Sequence, residues 1–493
     1  MNEPAAIDGS ASPSSQPTAR AATPVPARSL SRPLVECLVV LMLGVLLFRT
    51  FIAEAYIVPT GSMAPTLLGQ HRELVCPNCG SRFAVGLDDQ GPSGRVVCHN
   101  CGQDDLEQAS VSERDGDRLL VLKHLYDWRP PRRYEVVVFH NPNQPTQAYV
   151  KRLVGLPGES VQIKDGDLYI DGRIARKSPE EQWAMRIPVY DHDFPARDSA
   201  RYPRWRAQVG RGQRDLRSGW EPSGHGFVHR KADEDIGRVP DWLEYRHLDP
   251  DRGDYGPIRD MTPYNGARGS GEHRVRDLVL EARIKLSADV EALLVRFQAG
   301  GDSVSVSLPT DGRSPIRIRR NGRPIPDPEA HRPLPADSVE RSLEASWIDR
   351  RLTIAIDGQP ICGPLDFDEE PASPAAGPYG GPLALGILGE GAEVAGLRIF
   401  RDIYYTSPAS DLNRPAFGID RPYTLQADEY FVLGDNSPVS FDSRFWPDGP
   451  VLPGSLLVGK PFLVHLPSGA IPLKVFGGQT YWIPDPRQIR YIR

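Results

Sequence analysis

Residues 149–159 read Tyr-Val-Lys-Arg-Leu-Val-Gly-Leu-Pro-Gly-Glu, an apolar run that ends at a boundary rich in glycine and proline. Two similar short runs precede it, at 116–121 and at 133–139. Short apolar runs between such boundaries are typical of β-strands. The sequence therefore predicts a mostly β unit in which Lys151 lies within a strand.

Length and charge limit the rest of the interpretation. The chain has 493 residues, enough for about two or three folded units. Its 58 basic and 64 acidic residues give a net charge of -6, and no dense basic stripe is present. We therefore expect no nucleic-acid partner.

The N-terminal part divides into a polar tail and an apolar stretch. Residues 1–33 are rich in Ala, Pro, Ser and Thr. We expect a disordered tail there, because such a segment buries too little apolar surface to offset the entropy of ordering. Residues 34–55 are close to the ~20 that a spanning helix needs, which predicts one transmembrane helix in the lipid bilayer.

The orientation of this helix follows from the basic residues in the tail. Arg20, Arg28 and Arg32 precede it and favour a cytoplasmic N-terminus. The expected location is the cell (inner) membrane, with the bulk of the chain outside the cytoplasm. A cleavable signal peptide is the alternative, because Ala53-Glu54-Ala55 has the small-x-small pattern of a cleavage site.

Ser62 lies in the run Val58-Pro59-Thr60-Gly61-Ser62-Met63-Ala64-Pro65-Thr66-Leu67. Taken alone, a serine beside Gly and Pro is most simply a turn residue. It becomes a nucleophile only when a base removes its proton, which a neutral lysine amine can do. Lys151 would then have to be desolvated, since an ordinary pKa of ~10.4 keeps it charged near neutrality. The alternative is a solvated lysine paired with an acid.

A third polar block, Gly-Asp-Asn-Ser-Pro-Val-Ser-Phe-Asp-Ser-Arg, occupies residues 434–444. With the Ser62 run, the Gly116-Asp117 block and the Lys151 strand, all behind an apolar segment, it closely resembles the type I signal peptidases. These are membrane serine proteases of peptidase family S26 that remove signal peptides from exported proteins. The resemblance covers roughly residues 34–70, 115–172 and 423–470.

This resemblance implies a signal-peptidase-type β protease unit that works as a serine endopeptidase. It implies Ser62 as the nucleophile and Lys151 as the general base, with no cofactor for catalysis. The implied substrates are exported preproteins, cut after small residues. The substrate chain would bind as an added extended strand near the residues before Ser62.

The resemblance also implies supporting residues. Thr60 and the backbone N–H of Ser62 would form the oxyanion hole, where each donor is typically worth ~3 kcal/mol. Ser440 would orient the lysine amine. The residues that match the family's bracing positions are Asp435, Asp442, Arg444 and Arg152. Val439 replaces the second Asn of the commonest family pattern, although the spacing is unchanged.

Four cysteines form two C-x-x-C pairs, Cys76 with Cys79 and Cys98 with Cys101, and a glycine follows each pair. Two such pairs are typical of a four-thiolate zinc ribbon, which we predict at residues 72–104. No ligand position would be left open, so the zinc would be structural. Two disulfides or a redox pair are the alternative in an extracytoplasmic compartment.

Residues 173–422 are too many for a loop without structure. The part up to Asn265 lacks sustained periodicity, and no fold is predicted for it. Alternating apolar residues from Val275 onward predict an antiparallel β-sandwich over about 273–405, which resembles concanavalin or laminin-G jelly rolls. Such sandwiches often bind glycans, so a glycan or protein ligand is an expectation that the fold alone does not establish. Residues 423–493 would complete the protease unit.

Two other functions fit parts of the sequence. A membrane-anchored binding protein would carry an inactive protease unit, but the intact Ser62, Lys151 and Ser440 argue against it. A self-cleaving regulator of the repressor type shares a related Ser/Lys dyad, but it is normally joined to a DNA-binding unit. The predicted membrane span disfavours that function. The sequence therefore favours a membrane-bound signal peptidase.

Overall fold

The structure is a computed structural model, and it describes residues 31–87, 95–104, 106, 111–197, 202–210, 217–230, 239–249, 253–266, 271–299, 302–326, 334–368, 381–406, 417–419, 421–474 and 480–492. It contains two compact units, one ending at Phe51 and one running from Ile52 to Arg493. Almost all of the predicted tail at 1–33 lies outside the described residues.

The first unit contains the helix α1 (Ser31–Phe51). Its segment Arg32–Thr50 is long and apolar enough to cross a membrane, judged by length and composition. The predicted span of 34–55 extends too far toward the C-terminus. Residues Ala53–Ile57 are instead extended and pair antiparallel with Arg118–Lys123, which a helical backbone could not do.

The second unit is built almost entirely from strands. Those before the large insertion are β1 (Ala53–Ile57), β2 (His71–Val75), β3 (Arg82–Gly86), β4 (Glu113–Arg114), β5 (Arg118–Lys123), β6 (Val136–Asn141), β7 (Gln144–Gly155), β8 (Ser160–Lys164), β9 (Asp167–Ile170) and β10 (Arg173–Ile174), with the short helix α2 (Leu125–Trp128) after β5.

The insertion begins with the helix α3 (Pro179–Met185). Its strands are β11 (Ile187–Asp191), β12 (Trp205–Val209), β13 (Trp220–Ser223), β14 (Gly226–His229), β15 (Asp241–Tyr245), β16 (Leu248–Asp249), β17 (Asp254–Tyr255), β18 (Leu278–Leu286), β19 (Val290–Ala299), β20 (Asp302–Pro309), β21 (Arg317–Arg320), β22 (Arg323–Ile325), β23 (Arg341–Ile348), β24 (Arg351–Ile356), β25 (Gln359–Asp366), β26 (Leu383–Gly389) and β27 (Ala392–Arg401). The chain ends with β28 (Tyr423–Thr424), β29 (Glu429–Leu433), β30 (Leu452–Pro453), β31 (Leu457–Leu466), β32 (Ala470–Lys474), β33 (Thr480–Pro484) and β34 (Arg490–Tyr491).

The main sheet is assembled from both ends of this unit, in the order β1-β5-β31-β6-β7-β29-β30, with β34 beside β31. The strand β31, which follows the insertion, lies between β5 and β6, and β29 pairs with β7. The chain therefore leaves this sheet, builds the insertion and returns to complete it. The strand β1 forms one end of the sheet. Beside the main sheet lies a smaller one, in the order β10-β9-β8-β28.

The insertion forms two large sheets. One has the order β13-β14-β27-β18-β23-β24-β25 with β11 beside β27, and the other has the order β12-β15-β26-β19-β20-β21-β22. Described residues of both sheets share one large core, which includes the buried Trp347. Trp242 is half-buried, with the Arg296 guanidinium 4.6 Å from its ring centroid.

The predicted start of the sandwich near residue 273 is too late. Strand β11 pairs with β27, and β15 pairs with β26. These early strands are short, and their partners lie more than a hundred residues further along the chain. Their stability therefore comes from tertiary pairing rather than from a local apolar pattern, which is why periodicity did not reveal them.

Lys177 joins the insertion to the smaller sheet. Its buried amine lies 2.8 Å from a carboxylate oxygen of Asp349 and 2.8 Å from one of Asp402. Carboxylates of Asp167 on β9 and of Asp277 lie beside Asp349. Separating the lysine from its partners would leave buried charges unpaired, so this cluster fixes how the sandwich contacts the protease unit.

Candidate active site

Ser62 and Lys151 meet in space although they lie far apart in the sequence. Ser62 belongs to a 3-10 turn, Gly61–Met63, and Lys151 lies within β7. The Lys151 amine donates a hydrogen bond to Ser62 Oγ at 2.5 Å. When the amine is neutral, the same contact lets its lone pair accept the hydroxyl proton. The pair therefore has the geometry of a nucleophile and its base.

Burial favours the neutral form of the Lys151 amine. Lys151 is only 3% exposed. Its pKa is lowered from 10.5 to about 8, chiefly by desolvation and in smaller part by the nearby Arg444. The carboxylates of Asp442 and Asp435 raise it, but desolvation is the larger effect. A pKa of about 8 leaves roughly a tenth of the amine neutral at pH 7, compared with a negligible fraction for an exposed lysine.

Arg152 and Asp435 connect the base strand to the 434–444 block. The buried Arg152 guanidinium donates to both oxygens of Asp435, at 2.7 and 2.6 Å, and to the Tyr134 carbonyl at 2.7 Å. Thr66 Oγ1, four residues after the nucleophile, donates to the same carboxylate at 2.6 Å. This bidentate ion pair therefore holds the nucleophile segment and the Lys151 strand in one arrangement.

Asp442 and Arg444 form a second buried pair, with Nε–Oδ1 and Nη2–Oδ2 distances of 2.8 and 2.7 Å. Asp442 also accepts the Gly434 N–H at 2.9 Å. Arg444 in turn donates to the Ser437 hydroxyl and carbonyl. These bonds close the 434–444 block on itself, as expected for a rigid support.

Ser440 forms no hydrogen bond with the Lys151 amine among the described residues. Its Oγ is buried but forms no hydrogen bond within the described part of the chain. The hydroxyl packs closely on Gly434, where an added Cβ would lie 2.2 Å from it. The role of Ser440 in orienting the Lys151 amine therefore stays a prediction, which no hydrogen bond among the described residues supports.

Thr60 caps the turn that carries Ser62 and is exposed to the cleft. Its side chain makes no capping hydrogen bond. The first N–H groups of such a turn, including that of Ser62, have no partner within the turn itself. An oxyanion role for both groups agrees with this placement and stays a prediction.

Sequence analysis missed residues that contact the turn carrying Ser62, and Asn436 is one of them. The Asn436 backbone N–H donates to the Ser62 carbonyl at 3.0 Å, and its side-chain Nδ2 donates to the Gly61 carbonyl at 2.9 Å. A signal was present, because Asn436 stands inside the 434–444 block between residues already assigned a role. Two contacts from the insertion, made by Tyr264 and Asn265, had no such signal.

A cleft of about 1040 Å³ opens beside Ser62 and Lys151. One side is formed by residues 56–62 and another by residues 147–151 of β7. Leu119 and Val138 of the main sheet also line the cleft, and part of the remaining lining comes from outside the protease sheets. Gly86 and Leu87 belong to the cysteine-rich hairpin, and Tyr264 to Gly266 belong to the insertion.

The four cysteines of the C-x-x-C pairs converge on one point. All four Sγ atoms lie within 4.8 Å of one another, with Cys76–Cys101 at 3.6 Å and Cys79–Cys98 at 3.7 Å. Disulfide sulfurs would be about 2.05 Å apart, whereas zinc–sulfur bonds of about 2.3 Å place tetrahedral sulfurs about 3.8 Å apart. The cluster therefore fits a metal ion better than disulfides.

The backbone around these cysteines has the form of two matching knuckles. Gly80 and Gly102 have φ of 77° and 79°, and their N–H groups donate to the carbonyls of Cys76 and Cys98. This left-handed conformation favours glycine, which explains the residue found after each pair.

Comparison with known proteins identifies the family of the chain. The family described as signal peptidase, peptidase S26, matches residues 103–216 and 334–466, half of the chain. The matched residues include Lys151, Asp435 and Ser440, whereas Ser62 lies before them. The chain belongs to the signal peptidase family.

Individual relatives cover less of the chain. Signal peptidase I of Leptolyngbya laminosa is 30% identical over 165 residues, which are 31% of this chain and 57% of that protein. Signal peptidase I of Bacillus caldolyticus is 41% identical over 58 residues, 12% of this chain and 31% of that protein. The chain spans about half the length of the first curated relatives that it matches.

Among solved structures, the carbohydrate-binding module CBM66 from Bacillus subtilis aligns with 40% of this chain and 94% of its own length. The identity is 10% and the TM-score is 0.25. A similarity at this level supports no conclusion about the insertion or about any ligand.

The lowered pKa of Lys151 predicts an unusual stability effect. The pKa of this amine is lower in the folded state than in the unfolded state. The free-energy cost of burying the charged amine is therefore complete below about pH 8 and disappears as the pH rises to about 10.5. We expect Lys151→Met to raise the free energy of unfolding by about 3 kcal/mol at pH 7 and by much less at pH 10.5.

Thermal unfolding of the full chain in detergent at the two pH values measures this effect. Lys164→Met is the control, because Lys164 is exposed and its replacement should change stability by less than about 0.5 kcal/mol. A Lys151→Met protein less stable than wild type at pH 7 would contradict the assignment of a desolvated amine.

Proposed function

We propose that this chain is a membrane-bound serine endopeptidase of the signal peptidase I type, which removes N-terminal signal peptides from exported preproteins. The observation that carries the proposal is the contact between the buried Lys151 amine and Ser62 Oγ. Family membership supports the reaction class. The buried bracing pairs around the two residues support a preorganised site rather than a chance contact.

The proposed reaction begins when the neutral Lys151 amine accepts the Ser62 hydroxyl proton. The Ser62 oxygen attacks the carbonyl carbon of the scissile peptide, and the resulting oxyanion is held by the Ser62 N–H and the Thr60 hydroxyl. Lys151 then gives the proton to the departing amine, which leaves an ester on Ser62. A water molecule, deprotonated by Lys151, cleaves the ester and restores the serine.

The shape of the cleft supports binding of an extended chain. Strand β1 is the end strand of the main sheet, so one of its edges is not covered by a strand of the described chain. A preprotein segment added along β1 would run into Ser62, which follows a few residues later. Preference for small residues before the cut is carried over from the family.

The membrane arrangement completes the proposal. The helix α1 would anchor the chain in the cell (inner) membrane, with a cytoplasmic N-terminus and the active site on the outer side. The arginines before the helix support this orientation. Preproteins emerging across the membrane would then reach the cleft on the side where signal peptides are removed.

Cleavage of a model preprotein in detergent tests the activity. We expect wild type to cut after a small residue, with both product termini read by mass spectrometry. Ser62→Ala should lower turnover by more than about a thousandfold, because no other group supplies the nucleophile. Ser314→Ala, at an exposed serine of the sandwich, is the matched control and should cut like wild type. A folded wild-type protein that cuts nothing would refute the proposal.

The same assay gives a pH prediction. Only the neutral form of Lys151 is a base, and burial places its pKa at about 8. We therefore expect kcat/KM to rise about tenfold per pH unit below pH 8 and to level off above it. Measurement from pH 6 to 9.5 checks this, and a profile that is flat over that range would remove Lys151 from the base role.

We further propose that the four cysteines bind one structural zinc ion. The thiolates of Cys76, Cys79, Cys98 and Cys101 would hold it, and it would supply no catalytic chemistry because no ligand position stays open. Its role would be to fix both knuckles against the insertion. Asn100, within the second pair, donates to the Phe194 carbonyl at 2.8 Å and accepts the Asp191 N–H at 2.7 Å. Asn78, within the first pair, accepts the Arg197 N–H at 2.9 Å.

Metal analysis of the purified chain tests the zinc site. We expect about one zinc per chain after dialysis, and a large loss of zinc in Cys98→Ser. Cys37→Ser, at the exposed cysteine of α1, should keep its zinc and serves as the control. Absence of zinc together with oxidised Cys76 to Cys101 would establish the disulfide alternative instead.

A further inference from the structure

Among the described residues, the part of the insertion that lines the cleft beside Ser62 belongs to one short segment, residues 262–266, which contains the 3-10 turn Pro263–Asn265. This segment lies outside every part of the chain that resembles the signal peptidases. The segment 262–266 is anchored to the sandwich, because the buried Arg401 of β27 donates hydrogen bonds to the carbonyls of Asp260 and Met261, just before it, at 3.1 Å each. The segment is therefore held firmly where it reaches the protease unit.

Tyr264 fills a space that only glycine leaves open. An added Cβ on Gly61 would lie 1.9 Å from the Tyr264 ring, and one on Gly86 would lie 2.3 Å from it. Gly61 belongs to the nucleophile turn, and Gly86 ends β3 of the cysteine-rich hairpin. The Tyr264 hydroxyl also donates to the Gln70 carbonyl at 3.2 Å. The ring is thus wedged between the nucleophile turn and the hairpin.

Asn265 continues this contact by hydrogen bonds. Its Nδ2 donates to Asn436 Oδ1 at 2.8 Å, and Asn436 Nδ2 donates back to Asn265 Oδ1 at 2.7 Å. Asn436 in turn donates to the carbonyls of Gly61 and Ser62. The two side-chain amides hold each other in a fixed plane, so the orientation of Asn436 depends on Asn265.

The effect on the chemistry follows from the peptide that these bonds hold. The Gly61 carbonyl and the Ser62 N–H belong to the same peptide unit, which is planar. Fixing the carbonyl direction therefore fixes the direction of the N–H that would face the oxyanion. Preorganised donors stabilise a transition state because they need no reorientation during the reaction.

We propose that Asn265 is a positioning residue of the active site, and that the inserted domain thereby supplies part of the catalytic support in this protein. Asn265 acts through Asn436 on the nucleophile turn, and Tyr264 keeps the segment seated against Gly61 and Gly86. This inference rests on the proposed function for its kinetic consequences. Its structural content, a more mobile nucleophile turn when Asn265 is lost, is independent of that function.

Hydrogen exchange gives the readout that needs no activity. The Ala64 N–H is bonded to the Gly61 carbonyl, and the Asn436 N–H to the Ser62 carbonyl. We expect both amides to exchange faster in Asn265→Ala and in Tyr264→Ala. Tyr255→Ala is the matched control, because Tyr255 is a tyrosine of the insertion whose hydroxyl bonds to Pro203, and both amides should exchange there as in wild type.

Kinetics with a model preprotein give the second readout. We expect Asn265→Ala to lower kcat about 10- to 100-fold with KM within about twofold, because the turn is misplaced while the cleft still binds substrate. Asn265→Asp keeps an acceptor for Asn436 Nδ2 and should recover part of kcat. The double variant Asn265→Ala/Asn436→Ala should be no slower than Asn436→Ala alone, since both act through one contact.

The outcomes separate the two proposals. If wild type cuts the preprotein and Asn265→Ala matches it in kcat and in exchange, the positioning role is overturned while the peptidase assignment stands. Additive losses in the double variant would also overturn it. If wild type cuts nothing, the proposed function fails, and the exchange experiment alone still decides whether Asn265 holds the turn. If Asn265→Ala does not fold, Asn265→Asp is measured in both assays.

Discussion

The structure of the active site depends on one buried contact, the amine of Lys151 against the hydroxyl of Ser62. A charged amine in water is strongly solvated, and its removal from water is what lowers its pKa to about 8. The free-energy cost of removing this amine from water has to be offset by the rest of the fold. The sheet around β7, with Val137, Phe139 and Leu153 all fully buried, provides the dry surroundings. The nucleophile turn provides the partner.

Two ion pairs determine which polar groups lie near Lys151. Arg152 points to Asp435 and Arg444 points to Asp442, so each buried carboxylate has an arginine of its own. Both carboxylates raise the pKa of Lys151, and an unpaired one would hold the amine protonated more strongly. The arginines thus keep the acids from becoming direct partners of the lysine, while the acids fix the loop that closes the site.

The insertion contacts the protease unit at several places and is not a separate appendage. Its described residues contact the protease unit at the Lys177 cluster, at the two cysteine knuckles, at Arg444 through Thr406, and at the turn that carries Ser62. Several separate contacts between the same parts restrict relative motion far more than one would. The cysteine cluster belongs to the hairpin that ends at Gly86, and Tyr264 of the segment 262–266 packs against both Gly86 and Gly61 of the turn that carries Ser62.

The sequence by itself determined the local chemistry of this protein. Apolar runs with glycine and proline boundaries indicated the strands β5, β6 and β7, and the spacing of the four cysteines indicated one cluster. The order of four sequence blocks behind an apolar segment indicated the family. Each of these signals lies within a few residues, so no knowledge of distant contacts was needed to find it. Of the fold, only the strands with strong local alternation could be found in this way.

Only the tertiary structure decided what lies far apart in the chain. The early strands β11, β14 and β15 pair with β26 or β27 across long separations, and nothing in their own composition predicts those partners. The placement of Ser440 against Gly434, and of Tyr264 and Asn265 against the nucleophile turn, likewise depends on packing. A residue's type limits the bonds that it can make, but which partner it meets is set by the fold as a whole.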